Sequence, residues 1–160
     1  MPGSGHELVT AGAYAYWTEK YATAKAVLVR RRPLDMSGPV EELATHTTPS
    51  GPSAFPAVVV AGGRVYWYNS DTISSVPLTG GVPQLEKSDV LARKLVADGA
   101  HVYFTGADYA HAADGVFRFP VGGGPVTQIA KAGMAGDITL TDNEVYFTDR
   151  SDNSIRKIAK

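Results

Sequence analysis

The chain has no cysteine, which excludes disulfides and thiolate metal sites and suits either a cytoplasm or an envelope compartment where a free thiol is a liability. It has no run of about eighteen apolar residues, so it carries no membrane-spanning helix pattern. Nor does either sign of charge dominate: 15 Lys and Arg face 16 Asp and Glu, a net charge of −1. Nucleic-acid binding is disfavoured by that balance, because a phosphate backbone demands a basic stripe. The one cluster of positive charge, Arg30-Arg31-Arg32, falls where a strand is expected. Its side chains therefore alternate and read as a solvated or rim-paired run. No signal peptide is visible, and residues 1–6 are expected to be a leader ahead of a single domain over residues 7–160.

What the chain does have is repetition. Tyr16-Trp17-Thr18 returns as Tyr66-Trp67-Tyr68, Tyr103-Phe104-Thr105 and Tyr146-Phe147-Thr148, with 50, 37 and 43 residues between equivalent tyrosines. That period belongs to propeller blades or helical arrays, and the content of the repeat chooses between them. Before each aromatic pair stands a turn: Gly12-Ala13, Gly62-Gly63, Asp98-Gly99 and Asp142-Asn143. Such dipeptides supply positive φ to a tight hairpin between two apolar runs. After the pair come a polar loop and a third apolar run, residues 29–33, 73–77, 116–120 and 155–159. Pro33, Pro77 and Pro120 close three of these runs, where a missing amide is tolerated. Glycine-rich turns and short runs at 40–43, 82–85 and 126–129 follow. The unit is four antiparallel strands.

Val65 and Trp67 point to one side of the second strand, Tyr66 and Tyr68 to the other, and both sides are bulky. A sheet wet on one side would alternate apolar with charged residues, so each sheet is expected to pack between two neighbours. One segment competes: residues 88–97 have helical spacing at Val90, Leu91, Lys94 and Leu95 behind a Ser-Asp cap. The repeat register makes residues 94–98 a first strand, with at most a helical turn over 88–91.

The recurring order of apolar run, Asp-Gly, Val-Tyr-Trp/Phe-Thr, Ile or Val, Arg or Ser, Pro and Gly-Gly resembles the bacterial relatives of the YWTD and NHL families of β-propellers. The resemblance covers nearly the whole chain. It implies an all-β fold of four-stranded blades over residues 7–54, 55–92, 93–134 and 135–160, the last without its outer strand. It also implies a compartment outside the cytoplasm, periplasmic or extracellular. A chain of about four blades is expected to form part of a larger ring or one completed by dimerisation, because open blade faces expose too much apolar surface. A fragment or engineered half-ring with only an assembly role is the structural alternative.

In such a ring the loops after each second strand, and those joining consecutive blades, share one face. That face collects the candidate ligand-binding residues Tyr21, Asn69, Asp71, Asp108, Tyr109, His111, Asp114, Asp149, Asp152 and Asn153. The leading expectation is a non-enzymatic module binding a protein or glycan there, with Tyr21, Phe55 and Tyr109 as stacking platforms. A lyase or hydrolase with His111 as base and a neighbouring Asp orienting it is the alternative. Oxygen-rich loops such as Asn69 to Asp71 and Asp149 to Asn153 could hold a hard cation, but the spacing does not fit an EF-hand, and Asp and Asn also cap turns. The four histidines have no metal-ligand spacing. Ser151-Asp152-Asn153 and Ser154-Ile155-Arg156-Lys157 mimic fragments of penicillin-recognising sites but overlap in one β-loop, an accidental match. Gly122-Gly123-Gly124 lacks the following helix of a phosphate cradle and reads as a hairpin turn. No cofactor motif is present.

Overall fold

The computed structural model of the chain describes residues 4–21, 25–47, 57–109 and 112–160. Its strands form four antiparallel sheets. The first holds β1 (Ser4–Ala11), β2 (Tyr14–Tyr21), β3 (Ala26–Pro33) and β4 (Glu41–Thr47). The second holds β5 (Val58–Ala61), β6 (Arg64–Asn69), β7 (Thr72–Pro77) and β8 (Gln84–Lys87). The third holds β9 (Val90–Ala97), β10 (His101–Asp108), β11 (Ala113–Pro120) and β12 (Thr127–Lys131), and the fourth β13 (Ala135–Leu140), β14 (Glu144–Asp149) and β15 (Ser154–Ala159). In each sheet the strands lie side by side in chain order. This is the expected all-β architecture of blade-like repeats.

Register makes the repeat physical. Leu8 pairs with Trp17, Val58 with Trp67, Leu95 with Phe104 and Ile138 with Phe147. On the other side, Thr18 pairs with Val29, Tyr68 with Ile73, Thr105 with Val116 and Thr148 with Ile155. Because side chains alternate across a strand, these two sets lie on opposite faces of every sheet. Val65 and Trp67 pack with Tyr16, Val27 and Val29 of the first sheet, while Tyr66 and Tyr68 pack with Phe104, Phe117 and Phe119 of the third. Tyr103 and Val116 then meet Val145 and Phe147 of the fourth. Each sheet is thus glued to the next by its own odd and even residues, the two-sided burial expected.

The first strands are innermost. Glu7 on β1 accepts the Val58 amide of β5 at 3.0 Å and also pairs with Lys94 on β9, so three successive first strands converge on one point. The next ring of ties joins neighbouring blades: Arg31 donates to the Leu78 carbonyl at 2.6 Å, the Gly122 amide to the Tyr66 hydroxyl at 2.8 Å, and Thr105 Oγ1 to the Gly136 carbonyl at 2.5 Å.

Four expectations change. The sequence's helical spacing at residues 88–97 gives no helical turn: Asp89 adopts φ 58° and β9 runs from Val90. A whole strand is gained because β10 pairs along it, with one bulge that lets Thr105 face Lys94 and Gly106 face Ala92. The outer strands β8 and β12 begin one or two residues later than expected, and Val82 is left exposed. β1 starts at Ser4, inside the expected leader, where Ser4 pairs with Lys20. Finally, neither the third hairpin at Gly99 nor the fourth at Asp142-Asn143 uses positive φ; in the fourth, Thr141 Oγ1 accepts the Glu144 amide at 3.1 Å. In the third, Asp98 accepts the amides of Ala100 and His101 at 2.9 and 2.8 Å, closing the turn with a side chain.

Candidate functional site

The loop face is built from the ends of the second strands, because β2, β6, β10 and β14 all run toward it. At its fourth-blade side Asp149, at the end of β14, is buried. Its carboxylate accepts the Gly133 amide at 3.2 Å, the Met134 amide at 3.1 Å, and the Ser151 amide and hydroxyl at 3.0 and 2.6 Å. Arg156 adds a charge at 3.3 Å. The Ser151 hydroxyl, working against the cost of burial and joined by those amides, holds this carboxyl far below the usual carboxylate range. The same carboxylate therefore closes its own turn and pins the loop that leads into β13. Asp152 caps the Ser154 amide at 3.1 Å and pairs with Arg156, and Asn153 takes φ 56°, the left-handed turn position. Turn capping accounts for this triplet.

Asp114 works the same way one blade back. It forms a forked pair with Arg93, 3.2 and 2.8 Å, and accepts the Ala135 amide at 3.1 Å, while Arg93 donates to the Ala135 carbonyl at 3.1 Å. Fork geometry fixes both ions. The pair clamps β9, β11 and β13 together across the third and fourth blades. Arg93 was not singled out from sequence, since nothing local links it to a carboxylate 21 residues away.

Around blades two and three, backbone hydrogen bonds tie the loops together. The Val90 amide donates to the Asp71 carbonyl at 3.1 Å and the Tyr109 amide to the Asp89 carbonyl at 2.9 Å. Thr72 Oγ1 donates to the carbonyl of buried Asn69 at 3.0 Å. Tyr68 donates its hydroxyl to the Ser70 carbonyl. Burial, with Tyr109 and Asp71 close by, pushes the Tyr68 phenol up to about 12. Asp71 also opposes the lowering of His46, a half-buried ring set edge-on to Trp67 at 6.1 Å, whose pKa falls mainly through burial. Asp71, Tyr68 and Tyr109 are thus neighbours, whereas Asp114, Asp149, Asp152 and Asn153 belong to the second, clamped group. Asp108 borders a small cavity of about 220 Å³ with Phe117, Val126 and Gln128. Tyr21 lies at the end of β2, its hydroxyl 3.4 Å from Glu19 Oε2.

Tyr109 is an aromatic side chain that these loops leave open, 58% exposed above a hydrogen-bonded amide; Met134, in the loop pinned by Asp149, is also exposed. His111 and Phe55 lie outside the described residues. The arginine run is rim-paired: Arg30 with Glu19 at 3.2 Å, Arg31 with Glu41 at 2.7 Å and over the Tyr14 ring at 4.6 Å, Arg32 to the Gly38 carbonyl at 3.0 Å. The three glycines 122–124 form the expected turn between β11 and β12.

Blade-like sheets in series, each packed on the next, with loops clamped on one face, define a β-propeller-like repeat protein. In keeping with this, the chain is similar to the solved structure of a TolB-like protein from Agrobacterium tumefaciens, with a TM-score of 0.60 at 13% identity over 91% of this chain. The chain spans 61% of the length of that structure. No family model matches it, and no curated protein does so either.

Proposed function

We propose that the chain is a non-enzymatic binding module that engages a protein or glycan through its loop face. The observation that carries this reading is Tyr109, an aromatic ring more than half exposed on a backbone hydrogen-bonded to the Asp89 carbonyl at the start of β9. A rigid, amphipathic ring presented at low entropic cost is the side chain that recognition surfaces favour. The carboxylates nearest to a catalytic arrangement speak for the same reading. Asp114 and Asp149 spend their acceptor capacity on arginines, amides and a hydroxyl, which makes them clamps of the loops rather than groups free to act on a substrate. We assign the module to the periplasm or the extracellular space, the compartment that the resemblance to the YWTD and NHL propellers implies.

The test is a glycan array and cross-linking of surface proteins, run in parallel with wild type and Tyr109→Ala. A ligand held by wild type and lost in Y109A supports the proposal. Binding that is indifferent to Tyr109, or turnover of a captured substrate, overturns it.

A further inference from the structure

His46 stands at the loop-face end of the seam between the first and second blades. It is the penultimate residue of β4, pairs with the fully buried Val27 of β3 and faces the second blade. Its ring lies edge-on to Trp67, with centroids 6.1 Å apart, and its Nδ1 is 3.5 Å from the Ser74 hydroxyl. Trp67 and Ser74 are both buried. A titratable ring is thus part of the packing between two blades.

The two ends of this seam are held differently. At the far end Arg31 donates to the Leu78 carbonyl at 2.6 Å and the Gly81 amide to the Leu43 carbonyl at 3.2 Å. A guanidinium and a backbone amide keep their protons throughout the range in which an imidazole titrates. At the loop-face end the group in contact with Trp67 is the imidazole itself, the side chain whose charge changes between about pH 5 and 8.

The charged groups around the seam, among the described residues, give that ring little support as a cation. Asp71, in the turn between β6 and β7, is the acid whose charge reaches it. Lys20 shares the same face on the other side of Val27 and opposes a second positive charge. Arg31 and Glu41 pair with each other at the far end, and Glu7 and Lys94 do so on the first strands. Burial outweighs Asp71 and lowers the pKa of the ring.

We propose that His46 makes this seam a pH-sensitive joint: the neutral ring wedges the first blade against Trp67, and its protonation in mild acid opens the loop-face end while the far end stays tied. Once protonated, Nδ1 only donates, and the ring carries a charge against a buried indole. Asp71 then draws the ring outward, and the Asp71 carbonyl is the one that holds the Val90 amide of the third blade at 3.1 Å. The direction of the effect on stability follows from linkage. The folded-state value lies below the unfolded one of about 6.5, so the unfolded chain takes the proton first. The stabilisation is complete above about pH 7 and is lost as pH falls through about 6.5. This joint is independent of any ligand on the loop face.

The chain has two tryptophans, so Trp17→Phe leaves Trp67 as the single emitter. A protonated imidazole quenches an indole beside it, and Trp67 emission is expected to fall on acidification with a midpoint below about 6.5. His46→Gln, polar and without a titration, is expected to abolish that step and to flatten the stability–pH curve between about 7 and 5. Asp71→Asn is expected to move the midpoint to lower pH. An NMR titration of the His46 ring in wild type, assigned by its loss in H46Q, reads the same midpoint with both tryptophans in place. Amide exchange, corrected for its intrinsic rate, is expected to rise in acid at residues 44–47 and to stay unchanged at residues 78–81. A midpoint at or above about 6.5 overturns the proposal. So does an emission step or an acid limb that survives in H46Q, or exchange that rises equally at both ends of the seam.

Discussion

Trp67 and Trp17 occupy the same position in the repeat, pair with the same kind of residue and sit on the same face of their sheets. One is completely buried between two blades; the other stays partly open at the end of the row. The inner blades and the end blades thus have nearly the same local chemistry and different energetics. In a stacked repeat, burial is conferred by the neighbour and not by the unit. The same contrast separates Val116 from Ile155 and Val58 from Leu8.

The sharpest way to break that comparison is to truncate both tryptophans. Trp67→Ala is expected to cost about 3–5 kcal/mol, the range for a large aromatic removed from a packed core. Trp17→Ala is expected to cost about 1 kcal/mol. Urea unfolding of the two variants measures the difference, and equal losses would contradict the two-environment picture.

Glycines supply a second pair. Gly106 has φ 149°, and a Cβ there would lie 1.7 Å from the Leu91 carbonyl oxygen at the β9 bulge. Gly106→Ala should therefore cost about 2–3 kcal/mol through a forced backbone shift. Gly99, in the hairpin closed by Asp98, has open space around it, and Gly99→Ala is expected to stay within about 0.5 kcal/mol of wild type. Thermal unfolding under one buffer compares them.

Asp98 sharpens the junction between the third and fourth blades. Burial opposes its ionisation, but the Ala100 and His101 amides, Lys160 at 3.2 Å and the Tyr103 hydroxyl at 3.0 Å together hold its carboxyl down to about 2. A folded-state value below the unfolded one adds stability that is complete above about pH 4 and lost as pH falls toward 2. After allowance for solvent screening it is worth about 1 kcal/mol. Asp98→Asn should lose that amount at neutral pH and flatten the acid limb of a stability–pH curve between about 4 and 2. An unchanged limb would remove Asp98 from that role.

The smallest expected effect on stability is that of Tyr109→Ala, within about 0.5 kcal/mol, because the ring is mostly exposed and the clamp at its residue is made by backbone. If denaturation shows a large loss, Tyr109 is a packing residue and not a free recognition ring.

Much of the fold was legible. The second and third strands could be placed because aromatic and β-branched residues alternate on both sides of prolines and tight turns, a pattern that needs no knowledge of partners. β9 was harder: Val90, Leu91, Lys94 and Leu95 satisfy a helical period, and only pairing with β10 along its whole length selects a strand. The outer strands were displaced because an edge gains little from burial, so their apolar residues, Val82 among them, are weak markers of where pairing starts. For the candidate site, composition identified acidic loops but not their use. The partners of Asp149 are amides of the turn into its own blade's first strand, and those of Asp114 are a guanidinium from its own blade's first strand and an amide of the next blade, up to 21 residues away and brought near only by strand pairing and blade docking.

The sequence by itself determined the repeating unit: its turns, its strand order and the presence of bulky groups on both faces, because these follow from backbone sterics and a two-residue period. Only the tertiary structure decided which copies of that unit are buried, which acids become clamps and which ring stays exposed. Those outcomes depend on distances between segments far apart in the chain, and a repeated local pattern is blind to whether a neighbour stands beside it.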